Sequence, residues 1–203
     1  METRFAKIVS YLFHPIFLPF YCLLLLFYLQ PYFTFQLVLN ARILLMFFVF
    51  GTTIVFPLLI TFLMLKQGYI QSIYMESRQE RKYPYLITAI FYILTFNMFR
   101  QLHLPDIYLI YMMGASILLI LIVIINFWWK ISTHMVGIGG LVGFFSGLSF
   151  YLSVQIIPLI LIAILLAGLI GYARLKLNSH KPAEVYIGFL MGTIVMLAMF
   201  YLI

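Results

Sequence analysis

Long apolar runs dominate this sequence, and they limit what the chain can fold into. A run of about 20 apolar residues is what a helix needs to cross the hydrocarbon core of a bilayer. Of the 203 residues, 66% are hydrophobic and 8% are charged, whereas soluble domains carry roughly 45–50% apolar and about 25% charged residues. Spans must be helical because open strand edges cannot be satisfied in hydrocarbon. We therefore expect an all-α, polytopic transmembrane helical bundle.

Seven runs are candidate spans, with six as the alternative count because the third run is short. The first run follows Arg4 and Lys7 and is longer than the roughly 7–15 residues of a signal-peptide core, so we expect it to be retained. The runs leave no room for a separate soluble domain, which predicts one integral membrane domain over residues 1–203. They are 8–29, 42–65, 85–99, 106–129, 133–152, 155–173 and 184–202.

The net charge of +7 is compatible with an anionic partner. The basic residues of the chain lie in short loops between the apolar runs and form no continuous stripe, which argues against nucleic acid as the partner. Membrane lipids and an anionic substrate are the better interpretation. The five acidic residues include no D-D-x-x-D or D-x-x-D cluster, which argues against a magnesium-dependent prenyl or phosphatidyl transferase. We expect no metal and no cofactor.

The polar stretch at 173–188 separates the last two apolar runs and holds the strongest candidate site. Arg174, His180 and Glu184 form an R-x5-H-x3-E pattern. A guanidinium can bind a phosphate with two hydrogen bonds. An imidazole can attack phosphorus, and a carboxylate one helical turn away can fix its tautomer. Ser179 is the expected cap of the last helix, with Pro182 in its first turn.

A second polar stretch, residues 131–135, precedes a glycine-rich span. Ser132 is an expected helix N-cap, which would put Thr133 and His134 in the first turn. Free backbone amides at that position favour an anion. Glycines 139, 143 and 147 recur every four residues, so a neighbouring helix can approach this face closely.

A third stretch lies in the loop 66–84, where five charges fall within seven residues. Arg78 and Arg81 are three residues apart, would share a helical face and could clamp one phosphate. Lys82 is adjacent to them. We interpret the other two histidines as local features: His14 as an interfacial histidine beside a proline kink, and His103 as part of a plain turn.

Counting spans brings the three stretches to one side of the membrane. Two runs separate the 66–84 loop from His134, and two more separate His134 from His180. The side that they share carries ten of the twelve Lys and Arg residues, and the positive-inside rule would make it cytoplasmic. The ten are residues 4, 7, 66, 78, 81, 82, 130, 174, 176 and 181; Arg42 and Arg100 lie opposite.

These residues resemble a known family. Arg174-x5-His180-x3-Glu184-Val185-x2-Gly188 is similar to the third signature, S-R-x5-H-x3-D-V-x2-G, of the type 2 phosphatidic acid phosphatases, which share a helical core with vanadium haloperoxidases. Ser132-Thr133-His134 resembles the second signature, P-S-G-H. The loop ending in Arg81-Lys82-Tyr83-Pro84 occupies the place of the first, K-x6-R-P, with Glu76 at the lysine position. The resemblance covers roughly 76–188.

The resemblance implies a phosphatase-type helical core and a metal-independent lipid phosphate phosphatase. In that family's mechanism His180 would attack phosphorus and form a phosphohistidine, Glu184 would orient its ring, and His134 would protonate the leaving group. The phosphate would be bound by Arg174, Arg78, Arg81, Lys82, Ser132 and Thr133. The substrate would be a lipid mono- or diphosphate of the isoprenoid diphosphate, phosphatidate or phosphatidylglycerophosphate class.

Two other functions stay open from the sequence. A small-molecule transporter would need polar residues near the middle of its spans, and Asn97 with a few Ser and Thr residues is what this chain offers. A catalytically inactive membrane protein would keep the same fold without the chemistry. In each case we expect an integral, multi-pass protein of the cell (inner) membrane.

Overall fold

The computed structural model describes residues 2–29, 37–72, 75 and 77–202, and these form helices and turns with no strand among them. The predicted all-α fold is thereby confirmed. The nine α-helices within these residues are α1 (Glu2–Leu12), α2 (Leu18–Tyr28), α3 (Leu39–Phe50), α4 (Phe56–Lys66), α5 (Arg78–Gln101), α6 (Asp106–Asn126), α7 (Thr133–Leu152), α8 (Ile157–Lys176) and α9 (Pro182–Ala198). Glu76, the residue at the first-signature lysine position, lies outside the described residues.

Six helical segments among the described residues are long and apolar enough to cross a membrane, which is the alternative count and not seven. They are Glu2–Tyr28, Leu39–Lys66, Asp106–Asn126, Thr133–Leu152, Ile157–Lys176 and Pro182–Tyr201. The segment missing from this set is α5. It has 24 residues, a length of about 36 Å at 1.5 Å per residue. Polar residues at its two ends limit its apolar part to the short stretch 85–99.

The surface of the helices suits a lipid solvent. Large apolar side chains point outward along their length; Leu165 on α8 is 73% exposed and Phe150 on α7 is 78% exposed. In water such a surface would be an aggregation hazard, whereas in hydrocarbon it is the expected exterior. The protein is therefore a membrane-spanning helical bundle.

Two of the long apolar segments are interrupted. Between α1 and α2 the helix breaks at His14, and a 3-10 turn follows at Pro15–Phe17. Between α3 and α4 the residues Gly51–Val55 form a π-helical segment, which ends just before Pro57. Proline lacks an amide hydrogen and disfavours a regular helix in the preceding turn, which accounts for both positions.

The chain divides into two compact units. We call the first the terminal unit: it combines the N-terminal residues up to Leu18 with the residues from Lys130 onward. The second, the central unit, comprises Pro19–Trp129. Within the central unit α5 packs along α6, and the Thr95 hydroxyl donates to that of Thr52 over 2.8 Å.

Glycines hold the core of the terminal unit together by letting α7 and α9 touch backbone to backbone. A Cβ atom added to Gly139 or Gly143 would lie 2.2 Å from the carbonyl oxygen of Phe189 or Thr193, respectively. From the other side, a Cβ on Gly192 would lie 2.1 Å from the Val136 carbonyl oxygen. The predicted close approach of a helix to the glycine face is confirmed, and the helix that approaches is α9.

We expect Gly143→Ala to destabilise the protein by about 1–3 kcal/mol, the usual cost of forcing atoms into a packed core. Gly168→Ala on α8 is the matched control, because a Cβ there meets nothing within 4 Å and alanine is the better helix former by about 0.5–1 kcal/mol. Thermal unfolding in detergent should give a lower midpoint for the first variant only. Equal midpoints would contradict the backbone contact.

Candidate active site

A buried histidine–carboxylate pair lies where α9 begins. His180 Nδ1 and Glu184 Oε2 are 2.7 Å apart, and the two residues are 8% and 7% exposed. Since a carboxylate oxygen only accepts, Nδ1 is the donor, and in the neutral ring the lone pair is at Nε2. Nε2 is therefore the atom at which this imidazole can act as a base or a nucleophile.

The start of α9 differs from the expected one. The predicted cap, Ser179, is wrong: the N-cap is Lys181 and Pro182 is the first helical residue. His180 precedes the helix, so its contact with Glu184 does not come from a shared helical face. Instead Glu184 reaches back over the first turn, where it also accepts the Lys181 backbone N–H over 3.2 Å. Glu184 thus caps the helix and orients His180 at the same time.

The first residues of α7 lie against those of α9. Ser132 is the N-cap as predicted, and its backbone N–H donates to the Glu184 carbonyl oxygen over 3.2 Å. Its hydroxyl makes no cap bond. Fully buried, Ser132 Oγ has no hydrogen-bond partner among the residues that the structure describes. Thr133, the next residue, is also buried. Two helix N-termini and a buried hydroxyl without a partner therefore meet beside His180.

His134 lies in the first turn of α7 and is 7% exposed. Its Nε2 donates to the Ser10 carbonyl oxygen of α1 over 3.1 Å. A carbonyl accepts only, so the neutral ring carries its lone pair at Nδ1. The proton-transfer atom of this histidine is therefore Nδ1, and α1 determines that assignment.

His14 belongs to this cluster, which the sequence analysis missed. Its ring lies against that of His134, with centroids 5.2 Å apart and planes at 84°. The Nδ1 atom accepts the Ile16 backbone N–H over 3.3 Å. The available signal was its position: an ionisable residue within a span is a functional candidate by default. Three of the four histidines therefore gather in the terminal unit.

Arg174 is the cation of the cluster. It lies in the last turn of α8, half-buried, and within electrostatic range of both His14 and His134. Two residues on, Lys176 forms an ion pair with Glu2 of α1. The end of α8 and the start of α1 are thereby joined at the end of the unit where the histidines lie.

Arg78, Arg81 and Lys82, the phosphate-ligand candidates of the 66–84 loop, belong to the central unit and have partners there. Arg78 donates to the carbonyl oxygens of Phe127 and Trp128, which follow the C-terminus of α6. The buried Arg81 donates from Nε to the Met75 carbonyl oxygen over 2.8 Å. Lys82 lies over the rings of Tyr83 and Phe127. These contacts join loops within the unit, and phosphate binding by the three residues stays a prediction.

The start of α5 accounts for one of the five charges in this loop, that of Glu80. Ser77 and Glu80 form a capping box, in which each side chain bonds the other's backbone N–H. Backbone hydrogen bonds from Gln71 and then Ser77 hold the pKa of the exposed Glu80 below its ordinary value. The S-x-x-E spacing of Ser77 to Glu80 was a readable signal for this helix start.

No three His, Cys, Asp or Glu side chains are grouped closely enough to hold a metal ion in the described part of the chain. No protein-family model, curated protein or solved structure matches this chain. The chemistry of the site must therefore be argued from its own atoms.

We expect Ser132→Ala to leave the unfolding free energy unchanged or raise it, because a buried hydroxyl without a partner costs about 1–3 kcal/mol. Ser149→Ala, on the same helix, is the matched control: Ser149 Oγ donates to the Val154 carbonyl oxygen over 2.7 Å, and its loss should cost about 1 kcal/mol. Denaturant unfolding of both purified variants measures the difference. A clear loss of stability for Ser132→Ala would contradict the description of its hydroxyl as unsatisfied.

Proposed function

We propose that this protein is a membrane-embedded, metal-independent lipid phosphate phosphatase that works through a phosphohistidine on His180. The observation that carries the proposal is the His180–Glu184 pair, buried with Nδ1 and Oε2 2.7 Å apart. A carboxylate at Nδ1 directs the lone pair to Nε2 and stabilises the positive charge that develops on the ring when Nε2 attacks. Similarity of the motifs to the type 2 phosphatidic acid phosphatases supports the same assignment.

The first half-reaction is phosphoryl transfer to the ring. His180 Nε2 forms a bond to phosphorus while the bond from phosphorus to the leaving oxygen breaks, and that oxygen takes the electron pair. His134, as the imidazolium that carries protons on both Nε2 and Nδ1, gives its Nδ1 proton to the leaving oxygen of the lipid alcohol or phosphate and becomes neutral. In the second half-reaction water attacks phosphorus and returns a proton to Nδ1. The N–P bond breaks, its electron pair returns to Nε2, and phosphate leaves.

The surroundings of the pair suit a phosphoryl group. The N-termini of α7 and α9 meet beside it, and helix N-termini favour anions. Arg174 supplies a full positive charge, and the buried Ser132 hydroxyl can donate to a phosphate oxygen. Fixed donors of this kind stabilise the charge of the transition state and supply most of the rate enhancement in enzymatic phosphoryl transfer. The terminal unit alone thus offers a nucleophile, a proton donor and anion ligands.

The charge distribution supports a site at the cytoplasmic face of the cell membrane. The terminal unit contains six Lys and Arg residues, and all of them lie at the end where α1, α7 and α9 begin and α8 ends: Arg4, Lys7, Lys130, Arg174, Lys176 and Lys181. Such an excess at one end of a bundle marks the cytoplasmic side in most membrane proteins.

The position of the site at the ends of spans favours a substrate whose phosphate lies at the membrane surface. Its apolar part would remain in the hydrocarbon layer, beside the exposed apolar side chains of the helices. Isoprenoid diphosphates, phosphatidate and phosphatidylglycerophosphate all meet this description, and the proposal includes all three classes.

We expect His180→Ala to abolish phosphate release, and His134→Ala to lower it by about 10²–10⁴-fold, as for loss of a general acid. His103→Asn is the control, because His103 lies in the turn between α5 and α6 with φ 51°, a conformation that asparagine tolerates. The measurement is phosphate release from a panel of the three lipid classes, with and without EDTA and vanadate. Unchanged hydrolysis by His180→Ala, or no phosphate or vanadate trapped on His180 of the unsubstituted protein, would contradict the proposal; the latter result would favour an inactive protein of this fold.

Two substitutions of Glu184 should separate its structural role from its chemical one. Glu184→Gln keeps an oxygen that can accept the Lys181 N–H, so the unfolding midpoint should change little, while turnover falls about 10²-fold or more because the charge that orients His180 is gone. Glu184→Ala should lose both the cap on the Lys181 N–H and the charge that orients His180. Turnover should therefore fall as in Glu184→Gln, and the missing cap should lower the stability by about 1 kcal/mol. Equal turnover in Glu184→Gln and the unsubstituted protein would refute the orienting role.

A small-molecule transporter is the second candidate, and the interrupted helices favour it. Transporters often build their binding sites from broken spans near the middle of the membrane, and here Gly51–Val55 is π-helical with Thr52 and Thr53 buried. Uptake of a solute into proteoliposomes without release of phosphate would support this function and not the phosphatase.

A further inference from the structure

The end of α1 lies against His134, the histidine that the proposed reaction uses as its acid. If α1 continued as a regular helix, the His14 backbone N–H would donate to the Ser10 carbonyl oxygen. It donates instead to the Tyr11 carbonyl oxygen over 3.3 Å. Pro15 accounts for the change, because a proline disfavours the helical conformation of the residue before it, and His14 is extended, with ψ 135°. The Ser10 carbonyl therefore lacks its partner within the helix.

The Ser10 carbonyl oxygen accepts a hydrogen bond from α7 in place of the missing one. Ser10 is buried, so its carbonyl needs a partner within the protein, and His134 Nε2 donates to it over 3.1 Å. The 3-10 turn that follows α1 packs on the next turn of α7: a Cβ atom on Gly137 would lie 3.7 Å from Pro15 Cβ. Two neighbouring contacts thus fix the end of α1 against the His134 ring.

The imidazolium form of His134 has few other groups to stabilise it. The ring is buried, and the side chains within electrostatic range of it are Arg174, His14 and His180, none of which is an acid. Among the residues that the structure describes, no carboxylate pairs with His134. Ser10 belongs to the last turn of α1, and the C-terminus of a helix carries about half a negative elementary charge, which stabilises a protonated histidine.

We infer that Ser10 is a positioning residue whose backbone carbonyl oxygen orients His134 and stabilises its imidazolium, an inference that rests on the proposed phosphatase function. The hydrogen bond from Nε2 persists through both half-reactions. Meanwhile the Nδ1 proton moves to the leaving oxygen and is later regained from the attacking water, so Ser10 exchanges no proton. Because a hydrogen bond is stronger when its donor is charged, this contact favours the form of His134 that can donate.

A change in one backbone atom tests this role while every side chain stays in place. An α-hydroxy acid incorporated at Tyr11 replaces the amide between Ser10 and Tyr11 by an ester, which weakens the Ser10 carbonyl as an acceptor. The matched control is an ester at Ile8. Each ester removes one backbone N–H from α1 and weakens one carbonyl, but only the Tyr11 ester changes the carbonyl that His134 contacts. Loss of a helical hydrogen bond alone predicts the same result for both esters.

The leaving atom of the substrate distinguishes acid catalysis from other effects. The lipid phosphate that the unsubstituted protein hydrolyses is compared with an analogue in which sulphur replaces the leaving oxygen, because sulphur leaves without a proton. We expect the Tyr11 ester to lower kcat/KM about threefold to tenfold on the oxygen substrate. On the sulphur substrate it should stay within about twofold, as should the Ile8 ester on both. His134→Ala should show the same selectivity with a larger loss.

Nitrogen-15 NMR of the histidine rings gives a readout that does not depend on turnover. The chain has four histidines, and the signals of His134 are those that His134→Ala lacks. In the unsubstituted protein and in the Ile8 ester, the neutral His134 ring should carry its hydrogen on Nε2. In the Tyr11 ester a fraction of the rings should carry it on Nδ1, because the acceptor that selects the first tautomer is weaker.

The possible outcomes separate this inference from the proposed function. If the protein traps phosphate on His180 while the two esters act alike, the phosphatase stands and the role of Ser10 is refuted. Equal losses on the oxygen and sulphur substrates, or an unchanged His134 tautomer in the Tyr11 ester, would also overturn that role. If the unsubstituted protein releases no phosphate from any of the three lipid classes, the proposed function and the role of Ser10 are both refuted.

Discussion

The backbone contact between α7 and α9 is the interaction on which the rest of the terminal unit depends. Glycines on both helices remove the side chains that would keep the backbones apart, and a Cβ on Gly143 or Gly192 would collide with a carbonyl of the opposite helix. In lipid there is no hydrophobic force to bring helices together, so close van der Waals contact must supply the attraction. The same contact aligns the two N-termini, where the Ser132 N–H meets the Glu184 carbonyl oxygen.

This alignment makes one residue serve stability and chemistry together. Glu184 accepts the Lys181 N–H and binds His180 with the same oxygen atom. The carboxylate that caps the start of α9 is thus also the carboxylate that sets the tautomer of the imidazole. Buried polar groups near a membrane must be satisfied by the protein itself, and here the satisfied group is the one that prepares His180 Nε2 for attack.

Much of the fold could be predicted because it follows from patterns among residues that are close together in the sequence. Six of the seven apolar runs correspond to segments that are long and apolar enough to span a membrane, and the run 85–99 does not. The four-residue recurrence of glycine predicted the close helix contact, and Ser132 was recognisable as a cap. The start of α9 was misassigned because serine is a common N-cap residue and lysine is not, so Ser179 was preferred to Lys181. The proline at the first helical position, Pro182, does not by itself identify the cap.

Contacts between distant residues could not be predicted in this way. The roles of His14 and Ser10 depend on His134, and no local pattern links Ser10 to a residue 124 positions away. The partners of Arg78 are main-chain carbonyls beyond the end of α6, which any sequence could provide. Charge alone suggested phosphate there, whereas the fold supplies backbone oxygens that a sequence does not display.

The division of the chain also has a consequence for how the protein is made. The terminal unit draws its first helix from the start of the chain and its other three from the last third. A ribosome adds about 5–20 residues per second, so roughly 6–25 s pass between the synthesis of α1 and that of His134. During that time the Ser10 carbonyl and His14 lack the side chain that they contact in the folded protein. During synthesis the central unit can be completed first, and the histidine cluster is the last part of the molecule to assemble.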